Sequence, residues 1–277
     1  MRRLLNRLRR ATREPDDRPA PPPPVALTEE ALGQALLRLD GGLGLFRLAH
    51  LLEALRRSPG VRSVLSVGSG LGYHEAFLAV SRPDLEVAGV DLRAPRFDGA
   101  LPNLRFFQGN LFDPDVHRRL PAADFVFSIE CLEHIVDDES IFATMVSCLA
   151  PNGRLYLQVP FANASEQADL DLCRREREQH EHVRPGYDEA RLRSLARHHG
   201  LDVLQVAAAF RFPLQPFVWA GTEKIADAFL APRWRAVLRL VETDVRDGLA
   251  ADRTEATAIK LLARKEASGI QGLQATR

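Results

Sequence analysis

The sequence predicts an α/β fold: a doubly wound sheet of seven strands with helices on both faces. Three observations carry that prediction. Short runs of branched apolar residues alternate with amphipathic stretches between residues 61 and 210. Most of those runs are continuously apolar, the pattern of strands buried on both faces. At 277 residues, 45% hydrophobic and 27% charged, the chain can bury a full core without a metal or disulfide staple.

The first 26 residues read as a disordered tail. "MRRLLNRLRR" places Leu4, Leu5 and Leu8 on one helical face among arginines, and "EPDDRPAPPPP" follows as a stiff, extended linker. The apolar centre of a secretory signal is missing. A weak membrane-surface anchor or a targeting peptide is the alternative, but arginine outnumbers lysine along the whole chain. One domain is expected over residues 27–265. It opens with "LTEEALGQALLRL", a helix with Thr28 as cap and acids in its first turn. A second helix through "LFRLAHLLEALRRSPG" stops at Pro59-Gly60. Strands follow at 61–68, 85–92, 103–109, 123–130 and 153–160, with helices near 72–81, 113–120, 137–149 and 188–199. A sixth strand is expected at 201–210 and a seventh at 256–264. The insertion 211–255 between them carries Phe212, Phe217, Trp219 and Trp234, which suit packing better than pocket lining. Residues 266–277 read as a flexible tail.

Composition narrows the function classes. Lys+Arg and Asp+Glu number 37 each, so no long-range field draws the chain to a polyanion and nucleic acid is not an expected partner. No apolar run approaches the roughly 20 residues that span a bilayer, so stable membrane insertion is not expected. Cys131, Cys148 and Cys173 are widely spaced and form no CxxC pair, which fits a reducing, cytoplasmic setting.

The chemistry concentrates at the strand ends. "VLSVGSGLG" (64–72) closes the first strand with glycines at alternate positions, and a helix follows at once. Glycines there let a ligand lie against bare backbone, and the first helical turn offers unpaired amides. A dinucleotide fingerprint needs GxGxxG, whereas position 73 is tyrosine. Asp91 closes the second strand, where a carboxylate accepts hydrogen bonds from ribose hydroxyls. Gly109-Asn110 closes the third strand, and "SIECLEHI" the fourth. In a parallel sheet all four lie on one rim.

With "VLSVGSGLG", "VAGVDL", "FFQGNLF", "ADFVFSIECLEHI" and "LAPNGRLYLQVP", the chain resembles the class I S-adenosylmethionine-dependent methyltransferases, in particular the branch with "LEH" after the fourth strand. The resemblance covers roughly residues 40–210. It implies a Rossmann-like sheet whose last strand runs antiparallel, and S-adenosyl-L-methionine as cofactor. It implies that Gly68, Ser69, Gly70 and Gly72 hold the methionine part, Asp91 the ribose, and Gly109 with Asn110 the adenine. Leu92, Ser128 and Glu130 complete the expected cofactor-binding set. Two positions depart from the family pattern: Ser66 stands where an acid is usual, and Asn110 where Asp is frequent.

Methyl transfer from a sulfonium is an in-line displacement, and positioning alone supplies about 7–11 kcal/mol in well-aligned systems. A base is needed only for a weak nucleophile such as a hydroxyl. His134 is the candidate base, and equally suits hydrogen bonding that supports its loop. Some members that methylate hydroxyls bind a divalent cation through an ExxEH segment and a later histidine. Glu130, Glu133 and His134, with His180 or His182, match that spacing, so a metal stays open beside a loop-stabilising role. His180, His182, Arg184 and Tyr187 are the substrate-side candidates. The expected reaction is methylation, at oxygen, of a small-molecule, glycan or lipid-linked acceptor. An NAD(P)-binding oxidoreductase and a non-catalytic cofactor-binding scaffold are the alternatives. The missing third glycine opposes the first; Ser66 is the best support for the second.

Overall fold

The computed structural model describes residues 27–40, 42–209, 234–236, 238–239 and 258–266. Helices α1 (Glu29–Asp40) and α2 (Gly42–Arg56) lead into β1 (Ser63–Val67), α3 (Tyr73–Ser81), β2 (Glu86–Asp91) and β3 (Leu104–Gln108). Then come α4 (Pro114–Arg119), β4 (Ala123–Ile129), a single 3-10 turn (Leu132–His134), α5 (Asp138–Ser147) and β5 (Leu149–Pro160). Two short helices, α6 (Ala164–Ala168) and α7 (Leu170–His180), precede α8 (Glu189–His198), β6 (Leu201–Ala209) and β7 (Ala258–Lys265). As expected, Thr28 caps α1, its hydroxyl accepting from the Ala31 amide at 3.2 Å. Helices α6 and α7 were not anticipated. Among the described residues no helix is long and apolar enough to cross a membrane.

The strands form one sheet in the order β3-β2-β1-β4-β5-β7-β6. β1 to β5 run parallel, and β7 runs antiparallel between β5 and β6. Period-two alternation splits the core into two layers. Val64, Phe125, Phe127 and Tyr156 face α2 and α3, while Leu65, Val67, Val126 and Leu157 face α5 and α8. The order reverses at β1 and β4, so the loops leaving those two strands open the crevice where ligands bind in such sheets.

One segment of the insertion closes the first layer. Trp234 is buried, meets Phe77 edge-on at 6.0 Å, and fills the space that Gly33 leaves on α1, where any Cβ would collide with the indole. Packing is thus what the structure records for this aromatic. Phe212, Phe217 and Trp219 lie outside the described residues, as do the tails at 1–26 and 267–277.

A polar clamp fixes the loop after β4 against the loop before α8. Arg184 donates to the carbonyls of Leu132 (2.9 Å) and Val136 (3.0 Å) and to the Tyr187 hydroxyl (2.6 Å). Tyr187, almost fully buried, donates its own proton to Asp138 at 3.0 Å, and its backbone bonds Pro160 and Ala162 at the end of β5. Burial raises the Tyr187 pKa, so the phenol keeps its proton. Substituting Tyr187→Phe removes one hydroxyl from this clamp and leaves Asp138 with its arginines. The expected loss is about 1–2 kcal/mol of unfolding free energy in urea, with an unchanged slope. An unmoved midpoint would show that the hydroxyl carries no tension in the clamp.

Candidate active site

The loop after β1 is bent entirely through its glycines. Gly68, Gly70 and Gly72 all have positive φ (78°, 56° and 85°), a region that costs side-chain-bearing residues about 1–2 kcal/mol each. The amides of Gly68 and Ser69 donate to the Val90 carbonyl at 2.9 and 3.1 Å, tying the loop to β2. A Cβ on Gly68 would collide with Cys131, so this part of the loop is pressed against the loop after β4. At Gly70 a Cβ would meet nothing within 4 Å. One side of the loop is packed and the other is open.

Asp91 reaches into that loop. Its Oδ2 accepts from the Gly70 amide at 2.8 Å and its Oδ1 from the Arg93 amide at 2.8 Å. The Gly109 amide bonds the Asp91 carbonyl at 2.9 Å, which brings the third strand end alongside. Asn110 turns its side-chain oxygen to the Phe112 amide at 3.0 Å, shaping its own loop. Leu92 stands 69% exposed beside Asp91, an apolar side chain left at the rim. Ser69 and Ser128 carry buried hydroxyls that meet no protein partner. The rim therefore joins a carboxylate, unpaired hydroxyls, bare backbone and an apolar face.

The loop after β4 starts with strain. Glu130 has a φ of 50°, unusual for a residue with a side chain, and its carboxylate pairs with Arg47 of α2 at 3.2 Å. Nothing in the sequence pattern of α2 marked Arg47 as a partner. Cys131 packs against Gly68, and burial, then Glu133, pushes its thiol up to about 12, which disfavours the thiolate. Glu133 is completely buried, and burial, then the negative charge of Glu130, holds its pKa well above the carboxylate range.

Three histidines gather at the 3-10 turn. His134 meets His182 edge-on at 4.7 Å, and His180 lies 5.4 Å from His182. Burial lowers the pKa of His134, with Glu181 opposing, so the neutral ring dominates at neutral pH. His182 is bound by Glu176 of α7 at 2.8 Å. Glu133, His134 and His182 bring one ligand atom each within 4.8 Å of one another. Glu130 stands outside that group with Arg47, so the ExxEH set assembles only in part. Of the four substrate-side candidates, His180 and His182 join His134, whereas Arg184 and Tyr187 belong to the clamp. The sequence reading also passed over Glu75, buried on the first turn of α3.

Comparisons agree with this geometry. The methyltransferase-domain family matches residues 43–206, more than half of the chain. Over 121 residues the chain is 30% identical to the trans-aconitate 2-methyltransferase of Klebsiella pneumoniae (strain 342), covering 42% of this chain and 43% of that protein. It therefore spans less than half the length of such curated relatives. A Galdieria sulphuraria protein named as a candidate sarcosine dimethylglycine methyltransferase superposes with a TM-score of 0.55 at 18% identity, over 79% of this chain and 84% of that one. Phosphoethanolamine N-methyltransferase 2 of Haemonchus contortus, in complex with S-adenosyl-L-methionine, gives 0.52 at 16% identity, over 90% and 62%. At these identities the structures speak for the fold. With the strand order, the glycine bend and the matched residues together, the chain belongs to the methyltransferase-domain family, and it shares the fold of methyltransferases whose structures are known.

Proposed function

We propose that this chain transfers a methyl group from S-adenosylmethionine to an oxygen of a small-molecule acceptor. Glycan or lipid-linked intermediates are the wider class. The observation that carries the reading is the Asp91 carboxylate set against the open side of the Gly70 bend. The cofactor's chemistry fits the donors and acceptors present. Asp91 retains acceptor capacity for a pair of ribose hydroxyls beyond the two amides that it already binds. The unpaired hydroxyls of Ser69 and Ser128 can serve polar groups of the amino-acid end, and Leu92 offers a face to an adenine ring. Gly109 and Asn110 would border the same ring. The trans-aconitate relatives support a small acceptor carrying carboxylate oxygens.

When bound, S-adenosylmethionine supplies an activated methyl on a sulfonium. The protein's part is alignment, and the clamp is built for it: Arg184 and Tyr187 hold the loop that carries His134 instead of touching the acceptor. His180 and His182 line the mouth. His134, neutral at working pH, would accept the proton of a hydroxyl acceptor through its ring nitrogen. A carboxylate acceptor gives up no proton, and His134 would then only help to orient it. Residues 27–265 act in this reading as one catalytic domain.

Three measurements test these assignments. In calorimetric titration with S-adenosylmethionine, Asp91→Ala should weaken binding at least tenfold, about 1.4 kcal/mol; an unchanged affinity would overturn the ribose assignment. With a hydroxyl acceptor, the rate should rise with pH through a pKa below 6.5, as the His134 ring loses its proton. His134→Asn should remove that limb and lower turnover about 100-fold or more. If the substitution instead lowers turnover of carboxylate and hydroxyl acceptors alike, the side chain merely props its loop. Exhaustive chelation should leave turnover unchanged; a loss restored by a divalent cation would assign Glu133, His134 and His182 to a metal.

A further inference from the structure

Glu75 is the third residue of α3, only 1% exposed, with one carboxylate oxygen buried and meeting no hydrogen-bond donor. Among the described residues it forms no ion pair. Its surroundings make an ionised carboxylate costly. Burial is the main cause, the Ser66 hydroxyl and the main-chain amide of Glu75 itself oppose it, and Asp91 adds repulsion, leaving a pKa of about 7. A buried carboxylate near a second carboxylate is expensive unless a cation arrives to share it. Among the described residues no side chain supplies that cation, which makes a ligand the candidate source.

The chain path says where such a ligand lies. Ser66 precedes the first glycine of the bend by two residues, and Glu75 follows the last by three. Ser66 projects from β1 toward the layer that holds α3, so the two side chains meet at the foot of the bend. Ser69, within the bend, adds a buried hydroxyl without a protein partner. Asp91 is set at the other side of the bend, on Gly70.

We infer that Glu75 is the anionic partner of the cofactor's α-ammonium group, a charge supplied from α3 because β1 ends in Ser66 and not in an acid. The inference rests on the reading that the glycine bend holds S-adenosylmethionine. It explains why a glutamate is buried beneath the bend with no cation beside it among the described residues. It also removes the best support for a non-catalytic scaffold, since the missing charge is present on a different element.

The test compares ligands that differ in the ammonium end. The full-length protein and its variants are titrated calorimetrically with S-adenosylmethionine and with 5′-methylthioadenosine, which lacks the amino-acid end. Glu75→Gln should weaken S-adenosylmethionine at least tenfold and leave 5′-methylthioadenosine within twofold. Adding Ser66→Asp to Glu75→Gln should restore most of the loss. The ligand-free Glu75→Gln variant should melt no lower than wild type at pH 8, because the charge removed meets no cation among the described residues and glutamine can still accept from Ser66. Equal weakening of both ligands would mean that Glu75 only shapes the bend, and unchanged binding of both would place the ammonium elsewhere; either outcome overturns the inference. Wild-type protein that binds neither ligand would overturn the cofactor reading itself, and this inference with it.

Discussion

The hydrogen bond from the Gly70 amide to Asp91 ties the ends of β1 and β2 into one half of the candidate site's rim, and its existence depends on strand register. β1 and β2 pair so that Val67 lies opposite Val90, which sets Asp91 level with the start of the glycine bend. A slip of one residue would turn Asp91 to the other face of the sheet. Glycine carries a large entropic cost on folding, so a loop with three left-handed glycines needs fixed anchors. The Val90 carbonyl and the Asp91 carboxylate provide them. A carboxylate already oriented by two amides has little freedom left, the condition that a preorganised site requires.

The other half of the rim is held by different means. After β4 the chain turns through Glu130 in a strained conformation, and Arg47 reaches across from α2 to hold it. Strain of about 1–3 kcal/mol of this kind persists only where the surroundings over-determine it. Here the surroundings are the Arg47 pair, the packed Cys131 and the Arg184–Tyr187–Asp138 clamp. Arg184 binds the carbonyl of Leu132, the first residue of the 3-10 turn, and that of Val136 just beyond it, so the exposed imidazole of His134 is presented from a braced segment. The same fold thus fixes the loop after β1 mainly through hydrogen bonds to its amides, and the loop after β4 mainly through side-chain charges.

Much of the fold could be read from the chain. Strands β1 to β5 are branched, apolar and bounded by turn residues, and each was placed within a few residues. The expected start of β5, at 153, is late: strand pairing already begins at Leu149 and runs through Pro151-Asn152-Gly153, although Asn152 adopts a left-handed φ of 61°. Helices α6 and α7 escaped because neither buries a residue, so no apolar period marks them. Their caps were legible in hindsight: Asn163 with Glu166 forms a capping box, and Asp169 starts α7. The rim residues were legible because parallel strands deliver their ends to one edge whatever the helices do. Arg47 and Glu75 were not, since nothing in a single sequence reports a contact 83 residues away or the burial of a charged side chain at a helix start.

The placement of β7 has a consequence for how the molecule is built. It lies between β5 and β6 and supplies the ladder partners of both, yet it follows β6 in the chain by the whole of residues 210–257. While a ribosome is still translating that stretch, β5 ends the parallel sheet with an open edge and β6 has no neighbour at all. Two exposed edges of this kind are the surfaces through which unfinished chains stick to one another. Nascent chains stalled within the insertion would therefore be good clients for chaperones, and closure of the sheet would wait for one strand to slot in from the carboxyl-terminal side.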